Sequence, residues 1–244
     1  MRFSGELSTP LAGIDDPMAS LLHLSGAAFF AWRATHLSRR AGPARRRAAA
    51  LYVFSATAVA ALLLSGTYHA IPADHAWKPL LQRVDHSAIF LLIAGTLTAF
   101  HAIGFHGRGR WWMVGLVWAI TWAVLFGKIA WWSRVGDGVG LGLYIGLSIV
   151  GLSSILFLPR KLDWRMYDLM AAGAVTYVAG ALFDHFQLFW IVPRVFGPHE
   201  TFHVAVLVAL FLHWRFFHAW AEPGLAPRPR RAKRELLRQS PGPN

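Results

Sequence analysis

The sequence predicts an all-α membrane protein, a bundle of seven transmembrane helices, and three observations carry that expectation. The chain is 55% hydrophobic and only 15% charged, with a mean hydropathy of +0.41, outside the range of a soluble domain. Seven apolar runs, each near the ~20 residues that cross ~30 Å of hydrocarbon, follow one another with short connections. Lys and Arg gather in the segments between those runs. Backbone polar groups must be paired inside lipid, so runs of this length are read as helices and not as an open sheet.

The first run, about Met18 to Leu37, is the weakest, because His23 and Arg33 interrupt it. Only Arg2 lies before it, and Asp15 and Asp16 precede it directly, so a retained helix is expected in preference to a signal peptide. The others are Ala48 to Ala70, His86 to Phe105, Trp111 to Trp132, Val139 to Leu158, Tyr167 to Val192 and His199 to Trp220. Trp111, Trp112, Trp131 and Trp132 bracket the fourth run as an aromatic belt would. In the fifth, Gly142 and Gly146 form a small-xxx-small pair suited to close helix packing. The expected organisation is a segment 1–17, a seven-helix domain 18–221 and a basic, Pro-rich, disordered tail 222–244.

The net charge of +12 raises nucleic-acid binding as a partner class, but its distribution argues against it. Basic residues concentrate at 39–47, 108–110, 160–165 and 228–238, all on one side of the expected bundle. The opposite side holds Arg2, Lys78, Arg83, Arg134 and Arg194. The positive-inside rule then puts the C-terminus in the cytoplasm and the N-terminus outside.

The same alternation collects the chemistry-bearing residues at one end. Ser65 and His69 close the second run, Asp85 and His86 open the third, Asp184 and His185 sit in the sixth, His199 and His203 open the seventh, and His23 opens the first. Ionisable groups cost ~2.5–3.5 kcal/mol each at mid-bilayer and less near the interface, so a cluster at one depth calls for compensation. With no cysteine in the chain, a metal site would have to use His, Asp, Glu or water. His199 and His203 stand four apart, one helical turn of ~5.4 Å, which is ligand spacing. Two imidazoles are an incomplete site, and Ser65, His69 and Asp85 are the candidates for a third donor. Glu200 points away from the His199 and His203 face and reads as a first-turn acid complementing the helix dipole. Asp184 and His185 read either as groups supporting the ligands or as one local hydrogen-bonded pair. His36, His101, His106, His213 and His218 lie towards the other end and receive no role.

The motifs S-G-T-Y-H at Ser65 to His69, V-D-H at Val84 to His86 and F-G-P-H-E-T-F-H at Phe196 to His203 resemble the haemolysin III branch of the progestin and adiponectin receptor (PAQR) family. The resemblance extends over all seven runs in order. It implies a zinc site with His69, His199 and His203 as ligands, Asp85 holding the water carried by the metal, and Ser65 as a supporting or oxyanion donor. His23, Asp184 and His185 would stand behind the ligands. One segment departs: in DDPMASLLH, Ala19 stands where the family often has asparagine. Topology also differs, since eukaryotic receptors of the family keep the N-terminus in the cytoplasm with zinc near that face, and the charge distribution is followed here. The resemblance further implies a bacterial inner (plasma) membrane.

The chemistry then implied is zinc-dependent hydrolysis of a membrane lipid, a ceramide-like amide or an ester, with lipid as the partner. The competing class is a non-enzymatic sensor or regulator of membrane properties in which zinc staples the second, third and seventh helices. A cytolytic pore ranks last, because mostly apolar helices offer no polar stripe for a lumen. Imidazole donors also suit iron, copper or nickel. Substrate and oligomeric state have no signature in the sequence.

Overall fold

A computed structural model of the protein describes residues 13–40, 45–105, 109–153, 167–188, 191–192 and 196–221. Among them the chain forms seven α-helices: α1 Pro17–Arg40, α2 Arg45–Ala70, α3 Lys78–Gly104, α4 Gly109–Ala130, α5 Asp137–Leu152, α6 Asp168–His185 and α7 Pro198–Trp220. A single 3-10 turn, Trp132–Arg134, separates α4 from α5. The helical bundle expected from the apolar runs is the fold of this chain. The tail 222–244, most of the segment 1–17 and the end of the expected fifth run lie outside the described residues.

Four helices, α2, α3, α4 and α7, are long and apolar enough to cross a membrane by length and composition, and α5 is a shorter apolar helix. Helix α3 is the central strut. It packs against α2, α4, α5 and α7, and 83% of its most apolar stretch is buried against 28% for α4. Helices α1 and α6 both lie against α7, and α1 also lines α2. The main core joins Phe54 of α2, Phe100 of α3 and Phe216 and Phe217 of α7, all at most 1% exposed. Phe54 and Phe217 meet edge to face at 4.6 Å, a favoured aromatic geometry. A smaller cluster of Phe90, Leu97, Val117 and Leu147 joins α3 to α4 and α5.

Two boundaries and one packing contact differ from the sequence expectation, each for a local reason. Helix α3 starts at Lys78 and not at His86, with Pro79 in its first turn, where proline's missing N–H costs nothing. Asp85 is thereby two turns inside the helix. Helix α6 stops at His185 although apolar residues continue to Val192. There Gln187 adopts φ 53°, and the N–H groups of Gln187 and Leu188 donate to Asp184 and Phe183 carbonyls at 3.2 and 2.9 Å. This closure usually falls to glycine, so no sequence signal marks it. In α5, the Gly142 and Gly146 pair makes no close approach among the described residues. Gly151 does instead, because any side chain there would collide with Leu97 of α3.

Hydroxyls within the helices mostly bond the preceding turn. Ser55, Thr57, Thr96 and Thr98 each donate to an i−4 carbonyl at 2.7 to 3.0 Å, which satisfies them where no water is at hand.

Candidate metal centre

The site is assembled where the start of α1, the end of α2, the end of α6 and the start of α7 meet. Asp16 organises the first of these. Its Oδ1 accepts from the Ala19 N–H at 3.0 Å, ahead of Pro17 in the first helical position, so it caps α1. Its own N–H donates to the His69 carbonyl at 3.0 Å, and its Oδ2 lies 3.5 Å from His69 Nδ1. Ser20 adds a bond to the Gly66 carbonyl at 3.0 Å. The start of α1 is thus tied to the end of α2 by backbone and side chain together. Burial alone would raise the Asp16 carboxyl, but its bonds to His69 and Ala19 and the nearby His69 and His199 hold it below the ordinary carboxylate value.

Lys78 closes the other side of the same corner. Its Nζ donates to the carbonyls of Tyr68 and Ile71 at 2.7 and 2.8 Å, and Asp15 pairs with it at 2.7 Å. The ammonium thus satisfies one of the last carbonyls of α2, that of Tyr68, and the Ile71 carbonyl just past the helix end, while Asp16 serves that of His69.

Helix α7 begins at a capping bond, the Gly197 N–H donating to Glu200 Oε2 at 2.7 Å. Glu200 is therefore spent on the helix start and leaves His199 and His203 as the inward pair. Their Nε2 atoms lie 3.0 Å apart. The ring centroids of His69, His199 and His203 form a triangle with sides of 4.3, 4.7 and 5.2 Å, and one nitrogen from each lies within 4.8 Å of the others. On the outer side, Asp184 Oδ1 stands 3.3 Å from His199 Nδ1.

This arrangement fits a metal ion. Two carboxylates face Nδ1 of His69 and Nδ1 of His199 and hold a proton there, which leaves Nε2 of each as a lone pair. Tetrahedral zinc with ~2.0–2.1 Å bonds places its ligand nitrogens ~3.3 Å apart, close to the observed separation of the α7 pair. The group His69, His199 and His203 could thus hold a metal ion, with His69 and His203 buried and His199 half-buried.

His23 joins the cluster through α7: its Nε2 is 2.5 Å from His203 Nδ1. Asp85 is partly buried on α3, accepts a hydrogen bond from Ser65 and lies within electrostatic reach of His199, Lys128 and Lys78. Ser65 therefore serves a carboxylate on the next helix, unlike the hydroxyls that bond their own helix. His185 is not brought to the cluster. It is exposed, with its ring 5.0 Å from that of Phe186, and Asp184 turns to His199 instead. His86 packs its ring 5.4 Å from Trp132.

Sequence reasoning passed over Asp16, Lys78 and Lys128. Asp followed by Pro and an apolar run is a helix-start signal and could have fixed Asp16 as the cap. Lys128, 5% exposed inside α4, donates to Tyr144 Oη at 2.8 Å, and Tyr144 donates to the His86 carbonyl at 2.8 Å. A lysine within an apolar span was itself a signal.

The haemolysin-III related family model matches residues 14–214, every helix described above. The chain belongs to the haemolysin-III related family. It is 32% identical over 139 residues to Hemolysin-3 of Bacillus cereus, covering 56% of this chain and 63% of that protein. It is 27% identical over 132 residues to a Hemolysin-3 homolog of Bacillus subtilis (strain 168), covering 53% of this chain and 58% of that protein. The chain thus spans about three fifths of the length of these relatives. No solved structure matches it. Family and apolar helices together make this an integral membrane protein.

Proposed function

We propose that this haemolysin III protein binds a divalent cation of the zinc class through His69, His199 and His203 and uses it to hydrolyse an amide or ester bond of a membrane lipid. The observation that carries the reading is the convergence of three imidazoles at one end of the bundle, with a Ser65–Asp85 pair beside them. A bound zinc ion would supply Lewis acidity and acidify water near neutral pH. Asp85 takes the proton of the attacking water as its oxygen bonds the lipid carbonyl carbon. The same proton passes to the leaving amine or alkoxide as the C–N or C–O bond breaks. Ser65 fixes the orientation of that carboxylate, and Asp16 and Asp184 fix the rings of His69 and His199.

A second reading has its own support. His69, His203 and His23 are only 3 to 4% exposed, and the cluster ties α1, α2, α6 and α7 together, as a structural metal would. The relatives' name points to cytolysis, but the four long helices among the described residues are apolar along their length, which disfavours a water-filled pore.

Asp85→Asn separates the first two. Catalysis predicts that the variant keeps its metal and loses turnover across a panel of ceramides and acyl esters. A structural role predicts that metal and stability fall together, and that metal-replete wild type turns over none of the panel.

A further inference from the structure

Along the middle of the bundle, starting one turn beyond His23 and His203, α1 and α7 enclose an apolar groove of about 460 Å³, lined by Gly26, Phe29, Phe30, Leu207, Val208 and Phe211 and open to the side. Gly26 sets its floor, because a side chain there would run into Leu207. One turn further along α1 stands Arg33, with its guanidinium carbon 4.5 Å from the Trp214 ring, 4.8 Å from Trp32 and 5.5 Å from Phe29. The aromatic faces account for part of what holds a cation inside a membrane helix. They do not account for all of it: Arg33 Nε is buried without an acceptor. Among the described residues no carboxylate is paired with Arg33 or Arg215.

Beyond those rings, other basic groups gather at the same end of α1 and α7. Arg33, Arg40, Arg215 and His36 all lie within electrostatic reach of His218. The rings of Trp32 and Trp214 pack on those of His36 and His218 at 5.5 and 4.7 Å. Arg33 and Arg215, like charges on the two helices that also form the groove and both within reach of His218, repel each other unless an anion lies between them. Ser25 to Arg33 rises ~12 Å along α1, close to the ~15 Å hydrocarbon depth of one leaflet. The charge asymmetry of the chain assigns this end to the cytoplasm, the leaflet in which anionic lipids attract basic pockets between helices.

We propose that the α1/α7 groove and the Arg33 and Arg215 pair together form a binding site for one anionic phospholipid of the bilayer, its acyl chain along Phe29, Leu207 and Phe211 and its phosphate on the arginines. This site adjoins the metal centre but shares no residue with it, and it does not depend on the reading given to that centre.

The test is native mass spectrometry of the full-length protein in detergent. It is titrated with palmitoyl-oleoyl phosphatidylglycerol, with the matching phosphatidylcholine or with inorganic phosphate. Wild type retains the phosphatidylglycerol in preference to the phosphatidylcholine. Arg33→Gln lowers its retention about tenfold and abolishes the preference, the scale of one charge-assisted contact. Val208→Trp, which fills the groove and leaves every charge, lowers retention of both lipids. Arg134→Gln, at the other end, changes nothing. If Arg33→Gln does not fold, as judged by its thermal melt, Arg215→Gln on the exposed face takes its place with the same expectation. Wild-type retention in both the arginine and the groove variant would overturn the proposal. So would an equal loss in Arg134→Gln, or complete displacement of the lipid by inorganic phosphate.

Discussion

His23 Nε2 lies 2.5 Å from His203 Nδ1, a contact between residues 180 apart that ties the first helix to the last. One nitrogen must carry the proton, and the choice depends on what His203 does at its other end. With His203 Nε2 protonated, it donates to His199 Nε2 at 3.0 Å, and His23 donates to His203. With a cation at the three rings, His203 Nε2 is a lone pair and its Nδ1–H donates to His23 instead. His23 is the acceptor that lets His203 act as a ligand, the arrangement found behind metal-bound histidines.

It follows that His23→Phe weakens metal binding about 10- to 100-fold without changing the number of ions bound at saturation. Chelator competition on purified protein measures this. Unchanged affinity would mean that His23 is only packing.

Asp16 has two tasks that can be separated, since one oxygen caps α1 and the other faces His69. Asp16→Asn keeps a good cap, so stability without metal should hardly change, while metal affinity falls about 10- to 100-fold. Asp16→Ala loses the cap as well and costs about 1 kcal/mol more. Equal stability loss in both variants, measured by denaturation of the metal-free protein, would contradict the division.

Much of this was legible in the sequence, and what was not has identifiable causes. The four-residue spacing of His199 and His203 and the alternation of the helices were enough to collect His23, Ser65, His69, Asp85 and Asp184 at one end. The apolar runs located every helix but not the start of α3, where Lys78 and Pro79 open the helix two turns early, nor the end of α6, where Gln187 does what glycine usually does. The pairing of Asp184 with His199, not with His185, is set by the tight turn after α6, which no local pattern encodes. Asp16 and Lys78 escaped because their partners are carbonyls and rings on other helices, which periodicity does not reveal.

Lys78 supplies a prediction about stability alone. Its ammonium serves two carbonyls at the end of α2 and pairs with Asp15, and it is 9% exposed. Lys78→Met strands those acceptors and should cost about 3 kcal/mol, measured by thermal or chemical unfolding in detergent. A loss below about 0.5 kcal/mol would show that water replaces the ammonium.

Lys128 and Asp85 are opposite charges within electrostatic reach on facing helices. Lys128→Met and Asp85→Asn should be non-additive, the double variant recovering at least about 0.5 kcal/mol of the summed losses. Strict additivity in a double-mutant cycle would show that the two do not interact.

The most direct test is elemental analysis of purified full-length protein, wild type beside His203→Ala, with folding of both checked by circular dichroism. The account predicts close to one equivalent of a transition metal per chain in wild type and almost none in the variant. A folded wild type without metal, or a folded His203→Ala that holds as much as wild type, would contradict it.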